Sequence, residues 1–315
     1  MTFSVIIPTY CRPQSLIRCL DALAAGGVLP GRVIVVVRDT DVETQAALTS
    51  WAAAEARLAV TSVPVTEAGQ IAAMNAGLAA ATEDIVAFID DDTAPHPAWL
   101  GNLLRHYDDP TVGGVGGRDL IYQDGATIRG TVRVVGRLTW YGRMVGNHHL
   151  DLEGGAIPVA HLKGANMSFR RALLPPFDLR LASGSCALND TDASLAVTDR
   201  GYRLIYDPEA VVDHITAPRQ NWVTRDITDP RLVYSDSHNW VYCLCKHLPP
   251  WRRAVFVAYA LLIGEGVRYG LLKLLGALPR QGLRAVRQFT AATRGKVAGY
   301  GDFAALKREI GRRDP

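Results

Sequence analysis

The chain has 315 residues, 48% of them apolar and 21% charged, which excludes a disordered chain and allows one large or two modest globular domains. Its formal net charge of +3 is too small to argue for nucleic acid as a partner. Five cysteines (Cys11, Cys19, Cys186, Cys243, Cys245) form no CxxC or zinc pattern, and their odd number and scattered spacing suit a reducing compartment.

Phe3 to Ile7 reads as a buried strand stopped by Pro8, with no basic region and long apolar segment before it, so no signal peptide is expected. A helix follows over Ser15–Ala25, where Leu16, Cys19, Leu20 and Leu23 share a face and Gly26-Gly27 ends it. Arg32–Val37 and Leu58–Val63 read as strands, Val42–Arg57 and the Ala-rich Gly69–Ala81 as helices, and Ile85–Ile89 as a fourth strand. This alternation predicts a mainly parallel sheet with helices on both faces, whose ligands bind beyond the carboxyl ends of the strands. Pro8-Thr9-Tyr10 and the run Asp90-Asp91-Asp92 both sit at such ends. Beyond Pro97, a helix carries Leu100, Leu103 and Leu104, and Val112–Tyr122 is Gly-rich and extended. Gly125–Ala160 reads as loops and edge strands. Asn189-Asp190-Thr191-Asp192 opens a helix through Arg200, capped by Gly201, and Tyr202–Tyr206 is a short strand before Val211–His214.

The triple aspartate is the most informative stretch. Adjacent carboxylates repel unless a cation or protons neutralise them. Hard oxygen ligands at a strand end suit Mg²⁺ or Mn²⁺ bridging to substrate phosphates; a solvated acidic turn is the plain alternative.

Four segments together resemble the inverting glycosyltransferases of family 2, which have the nucleotide-sugar-binding GT-A fold. They are Val5-Ile6-Ile7-Pro8-Thr9-Tyr10-Cys11-Arg12; Gly69 with Asn75-Ala76-Gly77; Phe88-Ile89-Asp90-Asp91-Asp92 with Pro95; and Gly164-Ala165-Asn166-Met167 followed by Asp190-Thr191-Asp192, Gly201-Tyr202 and His214. The resemblance covers roughly residues 3 to 216. It implies a GT-A catalytic domain over 1–225, with a nucleotide-binding half (1–110) and an acceptor half (111–225), and a separate helical region over 226–315.

By that resemblance, Asp92 ligates the metal, Asp90 contacts the ribose or a metal-bound water, and His214 supplies a further ligand. Pro8, Thr9, Tyr10, Arg12, Asp39, Gly69, Asn75, Asp90 and Asp91 form the nucleotide site. Gly164, Asn166 and Asp192 face acceptor or donor sugar. Asp190 is the base that inversion requires, with Asp192 as the fallback, although Asn189, Asp190 and Asp192 are all competent helix N-caps. A strand-end histidine is the alternative for His214. Three positions depart from the family. Asn189 replaces the usual Glu and cannot hold a negative charge. Arg38 stands where the family has an acid that reads the base, so Asp39 inherits that role, with uridine the favoured nucleotide and guanosine or thymidine the others. Met74 replaces an Arg, removing a phosphate contact that Arg12 and Lys163 would restore.

Trp99, Trp140, Tyr141 and Trp222 are candidates for sugar stacking, with core burial the commoner fate. His148-His149 and Cys243-x-Cys245 read as structural. The C-terminal region is basic, and Ala254–Leu278 is strongly apolar but interrupted by Glu265, Arg268 and Lys273. The segment over about 250–300 reads as amphipathic helices on a membrane surface, with Arg252, Arg253, Arg280, Arg284, Arg287, Arg294 and Lys296 toward anionic headgroups. Helices packed on the catalytic domain or on a second copy in a homo-oligomer are the alternative.

The function expected is metal-dependent, inverting transfer from a nucleotide-diphosphate sugar, UDP-linked in the favoured case, to a hydroxyl acceptor such as a lipid-linked saccharide in surface polysaccharide or glycoconjugate synthesis. The location expected is cytoplasmic, peripheral on the inner face of the plasma membrane. A non-catalytic nucleotide-sugar sensor or scaffold is the reading from another class. A sugar nucleotidyltransferase is a third, weakened by the absence of a Gly-rich, Lys-bearing phosphate loop after the first strand.

Overall fold

The structure is a computed structural model that describes residues 1–123, 126–128, 130–181, 187–215 and 229–312. Cys186, Trp222, Gly125, Arg313 and the expected boundary at 225/226 lie outside the described residues.

Residues cluster into two compact units: Met1–Arg137, Val145–Phe177 and Ala193–Gln220 form the first, and Leu138–Met144, Asp178–Asp192 and Asn221–Pro315 the second. Two segments that the sequence places in the acceptor half, Leu138–Met144 and Asp178–Asp192, thus cluster with the C-terminal helices.

The first unit is built on one sheet. Its elements run β1 (Phe3–Thr9), α1 (Pro13–Ala24), β2 (Arg32–Arg38), α2 (Val42–Ala54), β3 (Val60–Val65), α3 (Gln70–Ala80), β4 (Ile85–Ile89), the short β5 (Thr93–Pro95), α4 (Trp99–Leu104), β6 (Val112–Gln123), β7 (Ile157–Val159), β8 (Asn166–Arg170) and β9 (Arg203–His214). The strand order is β7-β9-β6-β8-β4-β1-β2-β3. The pairs β4-β1, β1-β2, β2-β3 and β6-β9 are parallel, whereas β8 runs antiparallel to both β4 and β6. The strand expected over Tyr202–Tyr206 starts at Arg203 and continues through Val211–His214 as one strand, β9, whose register against β6 shifts between Asp207 and Val211.

The apolar runs are continuous because both faces are covered. Val5, Ile7, Val33, Val35, Val37, Ile85, Ala87 and Ile89 pack on one face against Leu16, Leu20 and Leu23 of α1 and Trp99, Leu100 and Leu103 of α4. The opposite face takes α3. There a side chain at Gly77 would begin 2.4 Å from Ile6 Cγ2, so glycine sets how closely that helix lies on the sheet. The chain runs outward from β1 to β2 and β3, then returns to the other side of β1 as β4. That reversal puts a topological switch point at the carboxyl ends of β1 and β4, where Thr9 and Asp90 stand.

In the second unit, α6 (Pro230–His247), α8 (Leu271–Gln281) and α9 (Leu283–Ile310) pack around Val233, Tyr269, Ala285, Ala291 and Ala292, and α7 (Pro250–Leu262) sets Phe256 edge-on against Trp240 of α6. Gly295 and Gly299 let α9 reach the backbone of α6: a side chain at either would start 2.2 Å from the Tyr234 carbonyl oxygen or 2.3 Å from that of His238. The buried Lys296 donates to the carbonyls of Ala260 and Tyr269, each at 2.6 Å, which joins α9 to the end of α7 and the turn before α8. No helix among the described residues is long and apolar enough to cross a membrane.

Candidate active site

The three aspartates leave β4 in a tight turn. The Asp90 carbonyl accepts from Thr93 N at 3.2 Å and Thr93 Oγ1 at 2.7 Å, which aims the three carboxylates in different directions. Asp91 is turned inward and buried, accepting from Thr9 Oγ1 at 2.7 Å and Arg12 Nη1 at 2.9 Å. It therefore ties the end of β1 to the loop carrying Arg12. Asp92 is also buried, with Arg12 Nη1 at 3.6 Å and His214 Nε2 at 3.4 Å. His214 reaches it because β9 pairs antiparallel with β5, setting His214 opposite Thr93, while Ile215 N donates to the Asp92 carbonyl at 2.9 Å.

Ligand atoms of Asp90, Asp92 and His214 all lie within 4.8 Å of one another. Behind them stands Asp119, fully buried on β6, which forms a short ion pair with Lys163 and lies 3.6 Å from His214 Nδ1. Among the described residues, neither His214 Nδ1 nor Asp119 Oδ1 has a hydrogen-bond partner. Sequence reading missed Asp119, since an isolated Asp in a Gly-rich extended segment carries no local signal. It also missed Gln70, whose Nε2 lies 3.4 Å from Asp90 Oδ1.

The electrostatics suit a cation. Burial, with Asp92 and Asp91 nearby, pushes Asp90 up to about 6 against the pull of His214. Burial likewise raises Asp91, partly offset by Arg12 and Thr9. Burial works against the charged form of His214, but its contacts with Asp119 and Asp92 prevail and raise it to about 9. Asp119 is the converse: burial is outweighed by His214 and Lys163, and its carboxyl lies below the usual range. Two carboxylates and an imidazole form a hard, mainly oxygen donor set that fits a divalent cation.

A pH dependence follows with a definite sign. The folded value of His214, about 9, lies above its ordinary 6.5, so its stabilising contribution is complete below pH 6.5 and is lost as pH rises through about 9. Asp90, at about 6 against 3.8, costs stability as pH rises from about 4 to about 6. From these two groups metal-free protein should lose about 3 kcal/mol between roughly pH 4 and 6 and about another 3 kcal/mol between roughly pH 6.5 and 9. Mn²⁺ should restore more at pH 8 than at pH 6, because its ligands bind deprotonated. Thermal unfolding with EDTA or Mn²⁺ across that range, on the parent and on Asp90→Asn and His214→Gln, separates these groups from others that titrate there, such as His148; a metal-free stability difference, parent minus variant, that rises with pH would contradict the site's electrostatics.

The other expected residues fall out differently. Cys11, in the left-handed region at φ 52°, donates its N–H to Asp41, which also caps α2 by accepting from Thr44 N at 3.2 Å. Asp41 thereby fixes the loop of Pro8, Tyr10 and Arg12. Tyr10 is exposed, as is Asp39, which lies 3.8 Å from Arg38 Nε. Gly69 precedes α3 at φ 115°. Asn75 is committed to the backbone of Phe177, donating to its carbonyl at 2.9 Å and accepting from its N–H at 2.7 Å. Asn166 is fully buried. It accepts from Trp99 Nε1 at 2.8 Å and donates to the carbonyls of Ala210 at 2.8 Å and Arg118 at 3.2 Å, so its amide holds the sheet together. Gly164 lies in the turn closed by Asn166 N to the Lys163 carbonyl at 2.9 Å. Trp99 is buried beneath the sheet and unavailable for sugar stacking, whereas Trp140 is exposed and meets Tyr141 edge-on. His148 is buried against His161 and Tyr206, and burial pushes it down to about 3, as a structural histidine requires.

In the second unit, Asp190 opens α5 (Asn189–Thr198), half-buried, and accepts from Thr191 N at 2.7 Å. Asp192 is buried and held by Lys246 Nζ at 2.9 Å and His247 Nε2 at 2.9 Å. Ligand atoms of Asp192, Cys243 and His247 also lie close together, but burial raises the Cys243 thiol well above its usual range and Lys246 already supplies the cation.

A mainly parallel sheet with an acidic cluster at its switch point is the α/β architecture of the GT-A kind. The pattern of Glycosyl transferase family 2 matches residues 4–175, more than half the chain, and the protein belongs to that family. The pre-mycofactocin glycosyltransferase of Mycobacterium tuberculosis is 33% identical over 168 residues, covering 50% of this chain and 32% of the relative, so the match spans about a third of that protein's length. Glycosyltransferase AglE of Haloferax volcanii is 25% identical over 221 residues, covering 68% of this chain and 67% of the relative. In fold, the chain is similar to the mannosyltransferase PcManGT of Pyrobaculum calidifontis, solved with GDP-Man and Mn²⁺. The TM-score is 0.56 at 21% identity, over 96% of this chain and 86% of that one.

Proposed function

We propose that this protein is a metal-dependent inverting glycosyltransferase that moves a sugar from a nucleoside-diphosphate donor to a hydroxyl acceptor. The observation that carries this reading is the convergence of Asp90, Asp92 and His214 beside a switch point of the sheet. Asp92 and His214 would hold the ion, with Asp90 as a further ligand or a partner of the ribose. The ion, when bound, supplies positive charge to the departing diphosphate. Asp119 orients His214, and Asp91 holds Arg12 ready for phosphate. Asp190 takes the proton of the acceptor hydroxyl as its oxygen attacks the anomeric carbon; the bond to the diphosphate breaks on the opposite face and the configuration inverts. Asp192, whose carboxylate is already taken up by Lys246 and His247, is the less available candidate.

The donor nucleotide turns on position 38. Uridine is the family's expectation, while the donor-only guanidinium of Arg38 has the shape to meet guanine O6 and N7, and the mannosyltransferase neighbour was solved with GDP-Man. A lipid-linked saccharide is the acceptor class we favour. The test is a thermal-shift panel of uridine, guanosine and thymidine diphosphates and their sugars with Mn²⁺. The true donor at about a hundred times its Kd should stabilise the protein by about 2.7 kcal/mol. A flat response to every nucleotide would remove the reading.

A further inference from the structure

The C-terminal unit carries an apolar surface that the transfer reading does not use. At the end of α7, Leu261, Leu262 and Ile263 are exposed, and on α8 Leu271, Leu272, Leu275 and Leu278 are exposed. At about 100° per residue, Leu271, Leu275 and Leu278 make one stripe of α8 with Leu272 at its edge, while Leu274 and Ala277 turn the adjacent side toward the unit's core. Leu272 is 58% exposed and Leu283, at the start of α9, 77%. Scattered exposed leucines need no explanation, but a continuous stripe does.

Its charge setting identifies the occupant. No carboxylate occurs between Glu265 and Asp302. Arg280, Arg284, Arg287 and Arg294 in that stretch are exposed and have no ion-pair partner among the described residues. A second copy docked by a two-fold axis would face these arginines with the same arginines, desolvated and unneutralised. An anionic bilayer surface neutralises them and receives the leucines below the headgroups. We infer that α8, with the end of α7 and the start of α9, is an in-plane membrane-binding surface for anionic lipid. No described helix is apolar and long enough to span, so the contact is peripheral. Lys296 fixes the surface by joining α9 to the carbonyl of Ala260 beside Leu261 and to that of Tyr269 shortly before Leu271.

The surface is independent of the active-site assignment, and its test needs no substrate. The full chain is co-sedimented with vesicles of phosphatidylcholine alone or with phosphatidylglycerol at about one third. Binding should require the anionic lipid and weaken with salt. The triple variant R280Q/R284Q/R287Q should lose about 100-fold in partitioning, since each cation near such a surface contributes about fivefold. The variant L272S/L275S should lose about tenfold at unchanged salt dependence. All five side chains are exposed, so circular dichroism and Tm should match the parent. Binding that ignores lipid charge and both variants overturns the inference. So does a parent dimer in sedimentation velocity that L272S/L275S dissociates, because the leucines would then cover one another.

Discussion

Asp92→Ala is expected to lower kcat/KM for sugar transfer by about 10³-fold or more, and to abolish Mn²⁺-dependent hydrolysis of the donor. Asp92 is the one member of the acidic run that is at once buried, 3.4 Å from His214 and 3.6 Å from Arg12. Its removal takes out a proposed ligand of the ion and part of the repulsion that raises Asp90. The fold should survive, because Asp91 alone keeps the bonds to Thr9 and Arg12 that tie the loops together. Metal-free Tm should therefore stay close to that of the parent, while the gain in Tm on adding Mn²⁺ with nucleoside diphosphate should vanish. Loss of activity with full retention of that gain would place the metal elsewhere.

Asp190→Asn should separate proton removal from donor binding. An amide of the same shape still accepts from Thr191 N and still opens α5, but it cannot take a proton. Transfer should fall about 10²–10⁴-fold, with donor affinity and Tm nearly unchanged. A structural cap would give a small loss of activity with Asp190→Asn, and a fall in stability of about 1 kcal/mol only with Asp190→Ala. Transfer at the parent rate would pass the role to another carboxylate. Asp192→Asn would not mimic this pattern, because it breaks buried pairings to Lys246 and His247 and should unsettle α6 first.

Much of the parallel half was legible because its signals are local. Ile85 to Ile89 is β-branched and apolar, is followed at once by three charges, and is a strand over those residues. Arg32 and Val42 likewise begin their elements where the sequence puts them. The remainder depended on distant partners. Helix α6 has no clean apolar stripe: Ser235, Ser237, His238 and Asn239 are buried in it, satisfied in part by Asp302 at 2.9 Å from His238 and by the carbonyls of Leu181 and Ala187. No periodicity rule finds such a helix. Asn166 and Asn75 sit in motifs that suggest ligand contact, yet both side-chain amides are used within the fold, one on Trp99, Ala210 and Arg118 and the other on Phe177. Asp119 shows the opposite case, a functional candidate with no motif, made visible only by the strand register that brings β6 beside His214.

The central claim is that Asp90, Asp92 and His214 hold the cation that accompanies the donor diphosphate. Crystals soaked with Mn²⁺ and the nucleoside diphosphate that stabilises the protein most, measured at the manganese absorption edge, test it directly. The account predicts an anomalous peak within about 2.5 Å of Asp92 and His214, with phosphate oxygens on its far side. A peak at Asp192 and His247, or diphosphate bound with no metal between the aspartates and its oxygens, would contradict it.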